Sequence, residues 1–186
     1  MLLSGGIAGT ASSSILMYLV STANRDALAG LTWWMLGDLQ AVDTVLLYPA
    51  VVVTLLMAVF LHASAWRLNA LSLGDENAWS MGVPPRQYTV LFIVIGSLLA
   101  AQTVVLAGLI AFAGLIVPHL VRKFYGSDHR KNLLPTLYWG ATFLIICDML
   151  SRVVASEHEL PIGVLTAAVG GSMFIYVLNK RRRSFL

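Results

Sequence analysis

Charged residues are scarce in this sequence: only 11% of its 186 residues are Asp, Glu, Lys or Arg, whereas 58% are hydrophobic. The mean hydropathy is +0.80. A soluble globule of this length needs more polar side chains than these to cover its surface. The composition therefore predicts that the lipid bilayer is the natural solvent of this chain.

Cysteine is almost absent as well, since Cys147 is the single one and lies within an apolar run. One thiol forms neither an intrachain disulfide nor a cysteine metal site, so we predict a packing role for Cys147 and no bound metal. Glu157, His158 and Glu159 are metal-binding residue types, but three adjacent loop residues are weak evidence for a site. The sequence also lacks a Gly-rich phosphate loop, which excludes a nucleotide site.

A continuous basic surface is missing too, although the formal net charge is +3 and the pI is near 9.2. Apolar blocks separate the basic residues, so we exclude nucleic-acid binding. No basic region precedes the apolar start of the chain, and the first run contains many Gly and Ser residues. We therefore interpret this run as part of the mature fold rather than as a cleaved signal.

Long apolar runs are what the sequence has in abundance. Runs that suit a hydrocarbon core of about 30 Å lie at residues 1–20, 45–61, 88–121, 133–150 and 160–178. The third run would be about 50 Å long as one helix, so we predict that it folds back near Ala107 and Gly108 into two helices, at residues 88–106 and 108–121. The predicted fold is an all-α polytopic transmembrane helix bundle, with about six spans in a single domain over residues 1–186.

Basic residues predict the orientation of these spans. Ten of the 12 Lys and Arg residues fall on one side of the arrangement, namely Arg67, Arg86, Arg122, Lys123, Arg130, Lys131, Lys180, Arg181, Arg182 and Arg183. Because cytoplasmic loops hold the excess of Lys and Arg, we predict that both termini are cytoplasmic. The segments 22–40 and 151–159 then face outward, and Trp33 and Trp34 favour a short interfacial helix in the first of them.

A short helix is predicted in the cytoplasmic loop at residues 69–86. Asp75 and Glu76 follow Gly74, as acidic residues do at a helix start. Gly82 and the two prolines after it end the helix. Such a helix either caps the loop or offers a surface that a motor subunit grips, and the residues alone favour neither interpretation.

Small residues and helix breakers mark two further segments. The first run is rich in Gly, Ala and Ser, which suits either tight helix packing or the wall of a pathway. In the segment 108–121, Gly114 and Pro118 weaken the helix inside the membrane. Interrupted helices are tolerated there only where protein or a cavity satisfies the backbone, so we expect this segment to be interior.

Ionisable side chains near the spans are few. Asp148 and Arg152 lie four residues apart at the outer end of a predicted span, and we predict that they form a structural ion pair. His119 lies one turn from Arg122, so we predict a boundary residue hydrogen-bonded to its neighbours rather than a metal ligand or a proton carrier.

Several motifs resemble those of the permease family of ABC importers for iron siderophores, haem and cobalamin, the FecCD type. They are GLIVPH at residues 114–119, GSDHR at 126–130, ELPIGVLT at 159–166, the segment 73–83 and WMLGDL at 34–39. The resemblance covers essentially the whole chain. It implies a transporter permease subunit of the bacterial inner membrane, not an enzyme, with a short outer half-helix at residues 34–39 and a cytoplasmic coupling helix.

This resemblance also implies a mechanism, partners and site residues. Alternating access would move an iron complex, with a ferric siderophore preferred over haem or cobalamin. A separate ATPase subunit that binds ATP and Mg would contact the coupling residues Gly74, Asp75, Glu76, Ala78, Met81 and Gly82. Arg152 would pair with a carboxylate of an extracytoplasmic solute-binding protein. A pathway between two permease subunits, identical or different, would be bordered by Gly5, Gly9, Ser13, Gly108, Phe112, Gly114 and Pro118. The chain itself would bind no cofactor.

Members of this family usually have about ten helices, and this sequence begins where the fifth would be. We therefore expect a truncated product, or one part of a split permease whose first four helices come from a separate chain. An ion-gradient-driven secondary transporter and a non-functional fragment are the open alternatives. The transporter would rely on Asp148 and the interior amide Gln102. An intramembrane hydrolase built from Ser97, His119 and Asp148 is disfavoured, because these residues have different predicted depths.

Overall fold

The computed structural model describes residues 2–39, 44–154 and 160–183. The regular elements of this part of the chain are α1 (Leu2–Ser21), α2 (Arg25–Leu36), α3 (Thr44–Ala63), α4 (Ala65–Ser72), α5 (Asp75–Ser80), α6 (Pro85–Ala107), α7 (Ala113–Tyr125), α8 (His129–Val154) and α9 (Ile162–Arg183). Among the described residues, α3, α6 and α8 are long and apolar enough to cross a membrane. The predicted all-α class is confirmed, whereas the number of six spans stays a prediction.

Contacts within the chain divide it into two compact units, Met1–Met35 and Leu36–Leu186. The first unit holds α1 and most of α2. The side chains that are described on α1 are exposed nearly throughout, and a Cβ added at Gly5, Gly6 or Gly9 would touch nothing within 4 Å. The short helix predicted around Trp33 and Trp34 is confirmed as α2, and both indoles are exposed.

The second unit confirms the predicted break in the third apolar run. Helix α6 ends at Ala107, and the chain turns at Gly108. The prediction that the next helix begins at Gly108 is wrong, because α7 begins at Ala113. Phe112 precedes it with φ 63, a left-handed conformation that a right-handed helix does not contain. The segment 108–112 is therefore an irregular connection between α6 and α7.

Three chain segments meet where α6 ends, and we call Gly37, Gly108 and Gly163 the glycine junction. All three glycines are buried. Gly163, at the start of α9, lies against the backbone carbonyls of Leu36 and Leu109. A Cβ at this position would be 2.8 Å from the Leu109 oxygen and closer still to the Leu36 oxygen. The segments after α2 and α6 thus contact the start of α9 through backbone atoms.

A polar side chain joins the two long helices α3 and α6. The Gln102 amide Nε2 donates to the Ala50 carbonyl at 2.9 Å and to Thr54 Oγ1 at 2.5 Å. Interhelical hydrogen bonds of this kind hold helices together in a membrane, where burial of apolar surface contributes little to their association. Gln102 therefore has a structural role.

Most apolar side chains on the long helices remain exposed. Leu55, Leu56 and Val59 on α3 are 60–68% exposed. Buried residues in the described structure lie on α7, around α4 and α5, on α8, and at the glycine junction and the first half of α9. Apolar helix surfaces exposed to this extent suit contact with lipid or with further helices.

Candidate coupling site

Helices α4 and α5 form a tight hairpin. The Leu73 amide donates to the Ala70 carbonyl at 3.1 Å, and the Gly74 amide donates to the Leu71 carbonyl at 3.2 Å. Gly74 then adopts φ 96 and ψ 160, a region that is essentially restricted to glycine. Helix α5 follows at once, and its acidic first turn complements the helix dipole. The helix start predicted after Gly74 is confirmed.

A small core holds this hairpin against the beginning of α6. Ala70, Ala78 and Val83 are at most 1% exposed, and Leu71 and Tyr88 pack against them. The Val83 amide donates to the Ala78 carbonyl at 2.9 Å, which closes the turn after α5. Ala78, one of the predicted coupling residues, thus supports the shape of the hairpin and has no surface to offer a partner.

The outer surface of the hairpin combines large apolar and acidic side chains. We call Leu73, Asp75, Glu76, Trp79 and Met81 the hairpin face. Leu73 is 61% exposed, Trp79 68% and Met81 52%, and the carboxylates of Asp75 and Glu76 are exposed as well. Exposed Trp and Met side chains are typical of protein interfaces. Leu73 and Trp79 were not among the predicted coupling residues, although their apolar character within a polar loop was a usable signal.

Arg67 on α4 contacts two aromatic rings. Its guanidinium carbon lies 5.1 Å from the centre of the Trp66 ring and 5.0 Å from the centre of the Tyr88 ring. It also donates to Ser64 Oγ at 3.2 Å. The cation–π contact with Tyr88 joins α4 to α6, in addition to the small core, whereas Trp66 lies on α4 itself.

Asn69 connects α4 to the start of α8. Its Nδ2 donates to Asp128 Oδ1 at 2.7 Å, and its Oδ1 accepts the His129 backbone amide at 2.9 Å. The His129 ring nitrogen Nδ1 lies 2.8 Å from the same Oδ1. We call these three residues the Asn69 clasp. The clasp was not predicted from the sequence, and the signal that could have indicated it is the polar GSDHR motif just before an apolar run.

The carboxylate of Asp128 accepts hydrogen bonds both within the Asn69 clasp and from the first turn of α8. Its Oδ1 also accepts the Arg130 backbone amide at 2.9 Å, as a helix-capping residue does. The hydrogen bond from Asn69, followed by that from the Arg130 amide, lowers the pKa of Asp128 below its usual value. These bonds therefore stabilise the fold at every pH above the unfolded pKa of about 3.9, and this contribution is lost as the pH falls through the lower folded pKa.

At the other end of α8, the predicted ion pair is confirmed. Arg152 Nε donates to Asp148 Oδ2 at 2.9 Å. The Arg152 side chain nevertheless stays 55% exposed, so a partner's carboxylate can reach it. Its docking role remains a prediction.

The prediction for His119 is wrong. His119 is exposed on α7, and its ring makes no hydrogen bond with any residue that the structure describes. The hydrogen-bonded histidine is His129 instead, because α4 approaches the chain at the start of α8 and not at the end of α7.

The predicted pathway residues differ in exposure. Those that are exposed are Gly5, Gly9, Ser13 and Gly114. Gly108 is buried in the glycine junction, whereas Phe112 and Pro118 are half-buried. Pro118 lines a cavity of about 190 Å³ that extends to Asn132. Their part in a pathway stays a prediction.

Metal-binding side chains do not cluster in threes anywhere in the described ranges. The metal-binding types considered above, Glu157 to Glu159, lie outside these ranges. Ser97 and His119 are both exposed, and the Asp148 carboxylate is paired with Arg152. The structure therefore offers no support for a hydrolytic triad of Ser97, His119 and Asp148.

The order of helices, with a short hairpin between two apolar spans, defines a helical membrane-permease fold. A solved structure described as a metal-chelate type ABC transporter in an inward-facing conformation matches it with a TM-score of 0.89 and 31% sequence identity. The match covers 96% of this chain and 58% of that chain.

The model of the FecCD transport family matches residues 1–180, so the chain belongs to this family. It is 35% identical to the ferric-anguibactin transport system permease protein of Vibrio anguillarum, over 84% of this chain and 49% of the relative. It is also 35% identical to the molybdate import system permease protein of Haemophilus influenzae, over 91% and 50%. The chain spans about half the length of the curated relatives it matches.

Proposed function

We propose that this chain is part of the membrane-spanning permease of an ATP-binding cassette importer, and that the hairpin face docks into the ATPase subunit. The observation that carries the proposal is the exposure of Leu73, Trp79 and Met81 on a hairpin with a rigid core. A soluble loop has no reason to present three large apolar side chains to water unless another protein covers them. Membership of the FecCD transport family and the permease names of its relatives support the same conclusion.

In this proposal the chain does no chemistry on its cargo. ATP and Mg bind to the partner ATPase subunit, and closure of that subunit moves the hairpin. Because the core of Ala70, Ala78 and Val83 makes the hairpin stiff, the movement passes into α6 rather than being absorbed locally. The permease then alternates between outward-facing and inward-facing states.

The cargo that we propose is a ferric siderophore, with haem and cobalamin as the alternatives. The solved structure is described as a metal-chelate type transporter, and one relative is named for ferric-anguibactin. A relative of equal identity is named for molybdate, so overall identity does not select the cargo. The preference rests on the breadth of the siderophore class.

The proposed assembly contains several further chains. They are an ATPase subunit, a second permease subunit that is identical or different, and an extracytoplasmic solute-binding protein that contacts Arg152. Since the chain spans about half the length of its relatives, a separate chain that supplies further helices belongs to the proposal as well. The assembly would lie in the bacterial inner membrane with both termini of this chain in the cytoplasm.

Mass spectrometry of the assembly tests this proposal. The chain carries a C-terminal tag at its native locus and is purified from native membranes with its partners. We expect an ATP-binding subunit together with additional permease helices, either on a longer form of this chain or on a separate one. Recovery of the 186-residue chain alone would contradict the proposed function.

The second hypothesis is an ion-gradient-driven transporter, and two observations disfavour it. Asp148 is paired with Arg152, and Gln102 satisfies its amide on α3, so neither offers an ion-coupling group deep in a span. Uptake of a radiolabelled ferric hydroxamate siderophore is measured after the proton gradient is collapsed while ATP is maintained. We expect uptake to continue, and its loss would favour the gradient-driven mechanism.

A further inference from the structure

We infer that the Asn69 clasp carries movement of the hairpin to α8, in addition to the chain connections to α3 and α6, and that Asn69 and Asp128 are positioning residues for transport. This inference rests on the proposed function, because it requires a motor partner that moves the hairpin. It assigns a role to two residues that form no part of the hairpin face.

Three connections lead from the hairpin to the long helices. Two are covalent, since Ser64 alone separates α3 from α4 and the chain runs from α5 through Val83 into α6. The third is the Asn69 clasp, which joins α4 to Asp128 and His129, 59 and 60 positions further along the sequence. The clasp thus connects the hairpin by hydrogen bonds to the start of α8, which neither covalent connection reaches directly.

Helix α4 is stiff enough to carry displacement to the clasp. It is eight residues long, and its Ala65 and Ala70 are at most 1% exposed. The packing of Ala70 against the core that contains Ala78, and the hydrogen bond from Asn77 Nδ2 to the Leu73 carbonyl at 2.7 Å, hold α5 to the end of α4. A push on α5 therefore displaces Asn69 together with the rest of α4.

The far side of the clasp is equally well attached. Asp128 holds Asn69 and also caps α8 through the Arg130 amide, while Asn132 Nδ2 donates to the Gly126 carbonyl at 2.6 Å. The loop between α7 and α8 is thus bonded to the first turn of α8. Movement of Asn69 would consequently shift the loop and α8 as one body.

Charge makes the clasp strong and directional. Asn69 Nδ2 donates to an ionised carboxylate, and hydrogen bonds to charged groups are stronger than neutral ones. A carboxylate at position 69 would instead face the Asp128 carboxylate and repel it. Exchange of the two residue types removes this repulsion, because an amide at position 128 can donate to the carboxylate at position 69. It does not restore every bond in place, since Asp128 Oδ1 accepts both Asn69 Nδ2 and the Arg130 amide.

The experiment compares Asn69→Asp, Asp128→Asn and the double exchange in the complete assembly purified from native membranes. Co-purification of the ATPase subunit and basal ATP hydrolysis report on docking. Uptake of a radiolabelled ferric hydroxamate siderophore per ATP hydrolysed reports on transmission. A third readout does not depend on the cargo. Every variant also carries His119→Cys as a labelling site and Cys147→Ala to remove the native thiol. The extent of maleimide labelling is then compared between assemblies with and without trapped nucleotide.

Asn69→Asp should keep the ATPase subunit and basal hydrolysis, lower uptake per ATP about ten-fold, and abolish the nucleotide-dependent change in labelling. Asp128→Asn should be milder, since an amide oxygen still accepts both bonds. The double exchange should recover part of both readouts relative to Asn69→Asp, because it replaces two facing carboxylates by an amide and a carboxylate. A merely structural role would lower assembly and hydrolysis in parallel.

Normal coupling in Asn69→Asp, or no rescue by the double exchange, would overturn the inference while leaving the proposed function intact. Failure of the proposed function looks different: the unmodified assembly would then contain no ATPase subunit. In that case the inference falls with it.

Discussion

The glycine junction and the α4–α5 hairpin are both built around glycine, yet they use it in opposite ways. At the junction, Gly163 lies against the carbonyls of Leu36 and Leu109, so the space for a side chain is already occupied by backbone. At the hairpin, Gly74 has nothing within 4 Å of an added Cβ, but its φ of 96 disfavours any L side chain. The first region depends on close packing, and the second on a local backbone conformation with open space around it.

This difference separates a region fixed among several helices from one that can move as a rigid unit. Backbone contacts among three segments leave the junction no room to rearrange, since packed interiors resist small displacements. The hairpin keeps its shape through its own core, while its outer surface remains exposed. In the proposed importer the junction would hold helices together and the hairpin would move against a partner. The following experiments test this contrast, beginning with the largest expected effect.

Gly163→Ala should destabilise the assembly by about 3 kcal/mol, because backbone carbonyls cannot move aside for the new methyl group. The thermal unfolding midpoint of the detergent-purified assembly measures this. Gly171→Ala is the matched control on the same helix, where an added Cβ touches nothing within 4 Å. It should be neutral or stabilising by up to about 1 kcal/mol. Equal midpoints for the two variants would show that the junction is not tightly packed.

Trp79→Ser should weaken association with the ATPase subunit by about 2 kcal/mol, roughly thirty-fold in affinity, because interface tryptophans are frequent hot spots. Co-purification at graded salt and detergent concentrations measures the effect, and the unfolding midpoint should not change. Phe124→Ser removes an aromatic side chain of similar exposure outside the hairpin face, 77% against 68%. Equal losses in both variants would argue against docking through the hairpin.

Gly74→Ala should destabilise the hairpin by about 1.5 kcal/mol, since its backbone conformation is strained for any residue with a Cβ. Proteolysis of the α4–α5 loop in the purified assembly measures local opening. Gly114→Ala serves as control, because Gly114 lies in α7 with open space around it and a helical backbone. Unchanged cleavage of the Gly74 variant would mean that the core alone determines the shape of the hairpin.

Of these treatments, acidification should have the smallest effect on transmission through the Asn69 clasp. The hydrogen bonds from Asn69 and the Arg130 amide lower the pKa of Asp128, so its carboxylate stays ionised down to a pH below its usual titration range. In the His119→Cys, Cys147→Ala assembly, the ratio of labelling with and without trapped nucleotide cancels the titration of the thiol itself. We expect Asp128 to leave this ratio unchanged between about pH 8 and 5.5, with any loss that it causes confined to lower pH. A transition near pH 6 that disappears in Asp128→Asn would contradict this assignment.

Particular elements show how far the sequence alone could lead. The break after Ala107 and the helix after Gly74 followed from local signals, namely excess apolar length and an acidic first turn. The start of α7 did not, because nothing local to Phe112 indicates that it adopts a left-handed conformation. The partner of His129 was equally hidden, since a ring hydrogen bond depends on which helix comes to lie beside it.

The sequence by itself determined the apolar spans, the short helices and the family resemblance, because hydropathy, helix start signals and motifs are properties of neighbouring residues. Only the tertiary structure decided that Gly163 would lie against two distant carbonyls and that Asn69 would reach Asp128. Both contacts join residues far apart in the chain, and such contacts depend on how whole helices pack rather than on any local pattern.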